Sequence, residues 1–87
     1  MISVIIPTYN KADRLIKVIN QIKLIGSSNL EIIVVDDAST DHTKAVIQKF
    51  KKIKIKYVCN KTNLGTSQSR ALGLKQAAGD CILFFDD

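Results

Sequence analysis

Several residue types that often signal a specialised site or scaffold are scarce in this 87-residue sequence, which has two cysteines, one proline, one histidine and no tryptophan. Cys59 and Cys81 lie in separate apolar segments without CxxC spacing, which favours buried free thiols over a disulfide or a metal site. His42 has no second histidine with which to form a metal cluster. The composition therefore argues against zinc-binding and disulfide-stabilised domains.

The sequence also lacks a long hydrophobic segment. Apolar residues make up 46% of it but are divided among short blocks, none long enough to span a membrane. The first residues show neither a basic stretch nor a cleavage pattern, and Pro7 comes too early for a signal peptide. We therefore predict a cytoplasmic protein, with residues 1–87 forming a single compact domain.

Two phosphate-binding motifs are absent, since the sequence contains neither GxGxxG nor GxxxxGK[ST]. Dinucleotide-dependent dehydrogenases and P-loop proteins are thus disfavoured. The net charge of +5 raises the question of nucleic-acid binding, but most of the lysines are dispersed. The densest group alternates Lys52, Lys54 and Lys56 with apolar residues, which is typical of a half-exposed strand at a sheet edge. Attraction to acidic headgroups or to a diphosphate is the less favoured explanation.

The apolar blocks alternate with helical patterns. Strands are predicted at 3–6, 31–35, 53–58 and 81–85, of which the first, second and last have the continuous apolar character of buried strands. Strands and helices in the order β-α-β-α-β-α-β indicate right-handed crossovers. The predicted fold is therefore α/β, a three-layer, doubly wound, mainly parallel four-stranded sheet that forms a Rossmann-like half-domain.

Each predicted helix has its own signals. The first buries residues at three- and four-residue spacing from Leu15 to Ile22, with Asn10 as its N-cap and Gly26 as its stop. The second faces inward through Val46, Ile47 and Phe50. The third is predicted at 66–78, with a buried stripe formed by Ala71, Leu74 and Ala78.

Polar clusters follow three of the strands at their carboxyl ends, where ligands bind in open α/β sheets. The residues 7–10 (PTYN) offer a hydroxyl and an aromatic ring that can stack on a flat ligand. Of the adjacent acids Asp36 and Asp37, only one is expected to face a ligand because side chains alternate along a strand. The other is expected to brace the turn, and Ser39 or Asp41 to cap the second helix.

The last two residues, Asp86 and Asp87, form a second acidic pair after the most hydrophobic strand. Such a pair suits a divalent cation, Mg²⁺ or Mn²⁺, although solvated terminal acids are an alternative. Gly65 precedes the third helix at a position suited to positive φ. Arg70, one turn into that helix, either reaches a phosphate or pairs with Asp80 or solvent.

In this order, SVIIPTYN, EIIVVDDASTDHT and NLGTSQSRALGLKQAAGDCILFFDD resemble the amino-terminal half of family 2 glycosyltransferases, which have the GT-A fold. The resemblance covers essentially the whole chain. It implies a binding site for a nucleotide-diphosphate sugar, most often a UDP-sugar, and transfer of the sugar with inversion to a hydroxyl acceptor.

The resemblance also implies residue roles. Pro7, Thr8 and Tyr9 would line the base pocket and Asp37 would bind the base, while Gly65 and Arg70 would lie near the nucleotide. Asp86 matches the first aspartate of the acidic metal motif, with Asp87 in its middle position, so the two would serve as metal ligands and Asp86 also as a donor contact.

The resemblance implies, further, a glycan or lipid-linked acceptor for the parent enzyme and its peripheral association with the inner face of the membrane. The part that carries the family's general base has no counterpart here, so we assign no catalytic residue and expect the chain alone to be inactive. The exposed flank of the last strand is expected to promote self-association.

Two other classes of function are kept as alternatives. A receiver-like signalling domain has the same alternation of strands and helices and an acidic pair, but it has no use for the PTYN loop. A basic nucleic-acid-binding module fits the net charge, but not the dispersion of the lysines.

Overall fold

The computed structural model describes residues 1–25 and 29–85, which form four strands and three helices in the predicted order. The strands are β1 (Ile2–Thr8), β2 (Leu30–Asp36), β3 (Ile55–Cys59) and β4 (Cys81–Phe84). The helices are α1 (Ala12–Ile25), α2 (Thr43–Lys49) and α3 (Thr66–Gln76). All strand pairs are parallel and the sheet order is β3-β2-β1-β4, which confirms the predicted doubly wound fold.

The two central strands form the core because they are buried on both faces of the sheet. On one face, β1 and β2 contribute Val4, Ile6, Ile32 and Val34 to a cluster that packs against α1 and α2. On the other face, a smaller cluster around Ile5 packs against α3. The order of the strands reverses at β1, since β2 and β3 lie on one side of it and β4 on the other.

The predicted inward faces of α1 and α2 are confirmed. Leu15, Ile19 and Ile22 are buried on α1, and Val46 and Ile47 on α2. Phe50, also predicted to face inward, follows the end of α2 and is partly buried against the same core. The predicted stop of α1 at position 26 lies outside the described residues.

The predicted face of α3 is wrong, because Ala71, Leu74 and Ala78 are all exposed. The helix instead buries Ser69 and Gly73. A β-carbon on Gly73 would lie 2.5 Å from Cγ2 of Ile5, so the absence of a side chain there lets α3 lie close to the sheet. The helix also ends at Gln76, two residues earlier than predicted.

The prediction that 81–85 is a buried strand is also wrong. β4 lies at the edge of the sheet, and Leu83, Phe84 and Phe85 are about half exposed. Both cysteines are exposed rather than buried, since Cys59 ends the edge strand β3 and Cys81 begins β4. Self-association along β4 stays a prediction.

β3 is the other edge strand, as the alternating lysines indicated, but Lys56 is not simply solvated. Its Nζ lies 3.1 Å from Oε1 of Glu31, a fully buried carboxylate at the amino end of β2, and donates to the carbonyl oxygen of Gln76. Oε2 of Glu31 accepts hydrogen bonds from the Ser3 hydroxyl, at 2.6 Å, and from the Ala78 N–H, at 2.7 Å. Burial would raise the pKa of Glu31, but these partners lower it to about 2.

Candidate functional site

A cleft lies at the carboxyl ends of β1 and β2, beside the first turns of α3. The end of β1 contributes Pro7, Thr8 and Tyr9, and the turn after β2 contributes Asp37. These four predicted site residues therefore share one cleft. Its other lining residues, which were not predicted, are Lys11, Thr66 and Ser69.

Asp37 is held in the cleft by its neighbours in the loop before α3. Its Oδ1 accepts hydrogen bonds from Asn60 Nδ2, at 3.0 Å, and from the Leu64 N–H, at 2.7 Å, while Oδ2 accepts one from the Gly65 N–H at 3.1 Å. Burial would raise the pKa of this carboxyl, but the three donors hold it below its usual range. Asp37 is therefore a fixed negative charge at the cleft.

Asp36 points away from this cleft and supports the turn. It is buried, with Oδ1 accepting the Ser39 N–H and Oδ2 accepting the Tyr57 hydroxyl at 2.5 Å. Burial and the bond to this carboxylate both raise the pKa of Tyr57. The two adjacent acids thus differ as strand alternation requires, with Asp36 inside and Asp37 in the cleft.

The prediction that Asn10 caps α1 is wrong. Asn10 has φ of 51° and its Oδ1 accepts the N–H groups of Thr40 and Asp41 at 2.7 and 3.3 Å, so it joins the loop after β1 to the loop after β2. Asp41 has the capping role, since its two oxygens accept the N–H groups of Ala12, the first residue of α1, and Thr43, the first residue of α2. This carboxylate therefore ties together the starts of two helices.

Gly65 has the positive φ expected of it, 90°, and its N–H donates to Asp37, which lines the cleft. Arg70 does not line the cleft. Its guanidinium lies over the ring of Phe84, 5.9 Å from the ring centroid. The alternative pairing of Arg70 with Asp80 is not observed, since the Asp80 carboxylate lies 3.0 Å from the N-terminal ammonium.

The Thr8 hydroxyl is a buried polar group in the cleft. Thr8 is 3% exposed, and its Oγ1 has no hydrogen-bond partner among the described residues. A buried hydroxyl without a partner requires an explanation, such as an ordered water or a ligand. The sequence signalled the hydroxyl itself, but not its lack of a partner.

The described residues do not form a metal site, since they contain no group of three or more potential ligands. Asp36 and Asp37 already accept hydrogen bonds through both oxygens. The predicted metal ligands Asp86 and Asp87 lie outside the described residues.

An open parallel sheet with a polar cleft at the carboxyl ends of its strands is the arrangement of nucleotide-binding α/β proteins. The chain belongs to glycosyl transferase family 2, whose family model matches residues 3–87. This confirms the family that the sequence resembles, and it favours that interpretation over the receiver-like and nucleic-acid-binding alternatives.

The chain is similar to several glycosyltransferases. A GalNAc(5)-diNAcBac-PP-undecaprenol beta-1,3-glucosyltransferase of Campylobacter jejuni is 42% identical over 89 residues, covering 99% of this chain and 29% of that protein. Staphylococcus aureus TarS 1-349 in complex with UDP superposes with a TM-score of 0.82 and 37% identity, covering 98% of this chain and 26% of TarS 1-349.

A third similar structure is the mannosyltransferase PcManGT of Pyrobaculum calidifontis in complex with GDP-Man and Mn²⁺. It superposes with a TM-score of 0.79 and 28% identity, covering 98% of this chain and 26% of that one. The chain therefore spans less than a third of the length of each of these relatives.

Proposed function

We propose that this chain forms the donor-nucleotide site of an inverting glycosyltransferase that transfers a sugar from a nucleotide diphosphate, most often UDP, to a hydroxyl acceptor. The observation that carries the proposal is the cleft in which Asp37 and the segment Pro7–Tyr9 meet. The UDP and GDP-Man complexes of similar proteins support it.

Asp37 is suited to recognise a base that donates an N–H. A carboxylate has about four lone-pair sites, and three donors from the described residues are bound here, two on Oδ1 and one on Oδ2. The remaining capacity on Oδ2 is available to a ligand. Because the carboxyl has a lowered pKa, it is ionised at neutral pH and is a strong acceptor.

Thr8 and Tyr9 supply the other contacts in this proposal. The Thr8 hydroxyl, for which the described residues supply no partner, bonds to a polar atom of the nucleotide. The Tyr9 side chain is 45% exposed beside it, which leaves its ring accessible for stacking. Pro7 shapes the wall of the same pocket.

The diphosphate is proposed to lie toward the start of α3. That helix begins beside the cleft, where its backbone N–H groups and the positive end of its dipole favour an anion. Lys11 adds a positive side chain, and Thr66 adds a hydroxyl. Gly65 and Arg70 are proposed to lie near the nucleotide, as the family resemblance implies. Arg70 does so without lining the cleft.

The proposal includes a divalent cation, Mg²⁺ or Mn²⁺, whose ligands from this chain would be Asp86 and Asp87. Bound there, it would neutralise charge on the diphosphate. The Mn²⁺ in the PcManGT complex supports a metal in the family, while the described residues supply no site of their own.

The proposal assigns only donor binding to this chain, with no catalytic residue. Acceptor binding, the general base and the transfer itself are proposed for the longer protein, whose acceptor we take to be a glycan or a lipid-linked sugar. The undecaprenol-linked substrate in the name of the Campylobacter relative supports the second of these.

The direct test is a titration with UDP and GDP, with and without Mn²⁺, followed by amide chemical shifts. We expect roughly millimolar UDP binding, with shifts at Thr8, Tyr9 and Asp37. Shifts restricted to residues outside the cleft, or none at saturating UDP, would contradict the proposal.

Thr8→Val separates a ligand contact from a structural role. Valine keeps the shape and suits a strand, so losing a hydroxyl without a partner should leave the free energy of unfolding unchanged or raise it by about 1 kcal/mol. UDP affinity should fall by about fivefold or more. A variant that unfolds more easily and binds UDP normally would show that the hydroxyl serves the fold.

Asp37→Asn tests recognition of the base. The amide keeps the size of the side chain but loses the charge and one acceptor oxygen, so UDP affinity should fall about tenfold or more. Asp13→Asn, at an acid on α1 that is 88% exposed and outside the cleft, is the matched control and should leave UDP binding unchanged. Equal affinities in the two variants would remove Asp37 from the site.

A further inference from the structure

Four lysines meet at the end of the molecule opposite the cleft. Lys23, Lys49, Lys51 and Lys52 line one shallow surface pocket together with Phe50 and Ile53. All four lysines are exposed. Part of the positive charge that looked dispersed in the sequence is therefore concentrated at one place in the fold. We call these four residues the lysine patch.

The lysine patch is remote from the nucleotide cleft. α1 and α2 end there, shortly before β2 and β3 begin, whereas the cleft lies where β1 and β2 end. A seven-residue strand separates the two edges of the sheet by about 20 Å. The lysine patch is thus too far away to contribute to donor binding.

The helix dipole accounts for the positions of two of the four lysines. Lys23 and Lys49 lie in the last turns of α1 and α2, where a positive charge favourably opposes the helix dipole. Lys51 and Lys52 lie in the connection to β3 and have no such role. No described acid forms a salt bridge with any of the four.

The acids that could neutralise the lysine patch lie elsewhere or are engaged. Glu31 is buried and bonded to Lys56, and Asp80 pairs with the N-terminal ammonium. The other described acids precede or begin α1 and α2, at the opposite edge of the sheet: Asp13, Asp36, Asp37 and Asp41. Four of the six described acids therefore lie at the end opposite the lysine patch, and the other two are engaged by other positive groups.

An exposed aliphatic side chain adjoins Lys23 in the chain. Leu24, near the end of α1, is 86% exposed. A soluble polyanion would gain nothing from it, whereas lysines beside an exposed aliphatic residue match the anionic headgroups and acyl chains of a bilayer. Among the described residues, no helix has the length and hydrophobicity needed to span a membrane.

We propose that the lysine patch and Leu24 form a docking surface for an anionic lipid bilayer. The lysines attract the headgroups electrostatically, and Leu24 enters the boundary with the acyl chains. This surface would hold the chain at the membrane by the end opposite the cleft, leaving the cleft open. The proposal does not depend on the nucleotide function, and its test needs neither UDP nor GDP.

The test is flotation of the chain with vesicles of phosphatidylcholine, alone or with about one-third phosphatidylglycerol. We expect binding only to the anionic vesicles, weakening as salt is raised. Each lysine near the surface is worth about fivefold in affinity, so the double variant Lys51→Glu, Lys52→Glu should lose at least tenfold. Both positions are exposed and outside the helices, so the thermal unfolding midpoint should not change.

The matched control is Lys61→Glu, Lys75→Glu, which makes the same change in net charge at two exposed lysines outside the lysine patch. It should retain most of the binding, and an equal loss in both double variants would overturn the proposal. Leu24→Ser should weaken vesicle binding about fivefold but leave binding to single-stranded DNA unchanged. If Leu24→Ser binds vesicles as well as the unchanged chain, or if binding is no stronger with phosphatidylglycerol, the surface is not a bilayer site.

Discussion

Glu31→Ala should lower the free energy of unfolding by about 3 kcal/mol, enough to lower the melting temperature by roughly 15 °C in a domain of this size. The change removes a fully buried acceptor and leaves the Ser3 hydroxyl and the Ala78 N–H without their partner. The lost ion pair adds little, because the Lys56 side chain is 35% exposed and can return to water. Thermal and urea unfolding measure the effect.

Lys56→Met tests the charge pair separately, since it keeps both bonds to Oε2 of Glu31 but removes the cation beside Oε1. Because Glu31 is fully buried, its carboxylate is left without an opposite charge, and we expect a loss of about 3 kcal/mol. A loss of about 1 kcal/mol or less would show that the two bonds to Oε2 are enough to hold the buried charge.

The same carboxylate predicts an acid-dependent loss of stability. Its pKa is about 2 in the folded protein against an ordinary value of 4.5, so protonation favours the unfolded chain. The stabilisation is present above about pH 4.5 and is lost as the pH falls toward 2. Glu31→Gln should flatten the stability curve in that window, although Asp37 and Asp41, whose pKa values are also lowered, still contribute a slope.

The sequence was sufficient to predict the order of elements because the signals for it are local. A continuous apolar run such as 32–35 is typical of a strand buried on both faces, and apolar spacing identifies the buried side of α1. The parallel arrangement then brings the ends of β1 and β2 together, so the meeting of Tyr9 and Asp37 follows from topology.

The wrong predictions concern features that depend on close packing between elements or on a partner far away in the sequence. The buried face of α3 is formed by Ser69 and Gly73, which no hydrophobic pattern reveals. The N–H of Ala12 is satisfied by Asp41, 29 residues away, so a capping rule confined to neighbouring residues chose Asn10 instead. The apolar run 81–85 resembles a central strand, and only the sheet order shows that it lies at an edge.

The unpredicted lining of the cleft has a similar origin. Thr66 and Ser69 are three residues apart on one side of α3, but they reach the cleft only because Gly73, one turn further on, lets the helix lie against Ile5 and Val35. Small residues on this helix therefore connect packing to function. This connection leads to a prediction about both stability and binding.

Gly73→Val should lower the free energy of unfolding by about 3 kcal/mol and weaken UDP binding at the same time. Even a single added β-carbon would lie 2.5 Å from Cγ2 of Ile5 and 3.1 Å from Cγ2 of Val35, both on buried, β-branched side chains of the central strands. Those side chains have little freedom to move, so α3 must shift outward. The shift would carry Ser69 away from the cleft.

Ala71→Val is the matched control, because it adds a valine to the same helix at an exposed position. It should cost only the difference in helix propensity, about 0.5 kcal/mol, and leave UDP binding unchanged. Helix propensity alone would make Gly73→Val neutral or slightly stabilising, whereas a clash with the sheet makes it destabilising. The two explanations therefore predict effects of opposite sign on the free energy of unfolding. A stable Gly73→Val variant with normal affinity for UDP would show that the position of α3 does not depend on this contact.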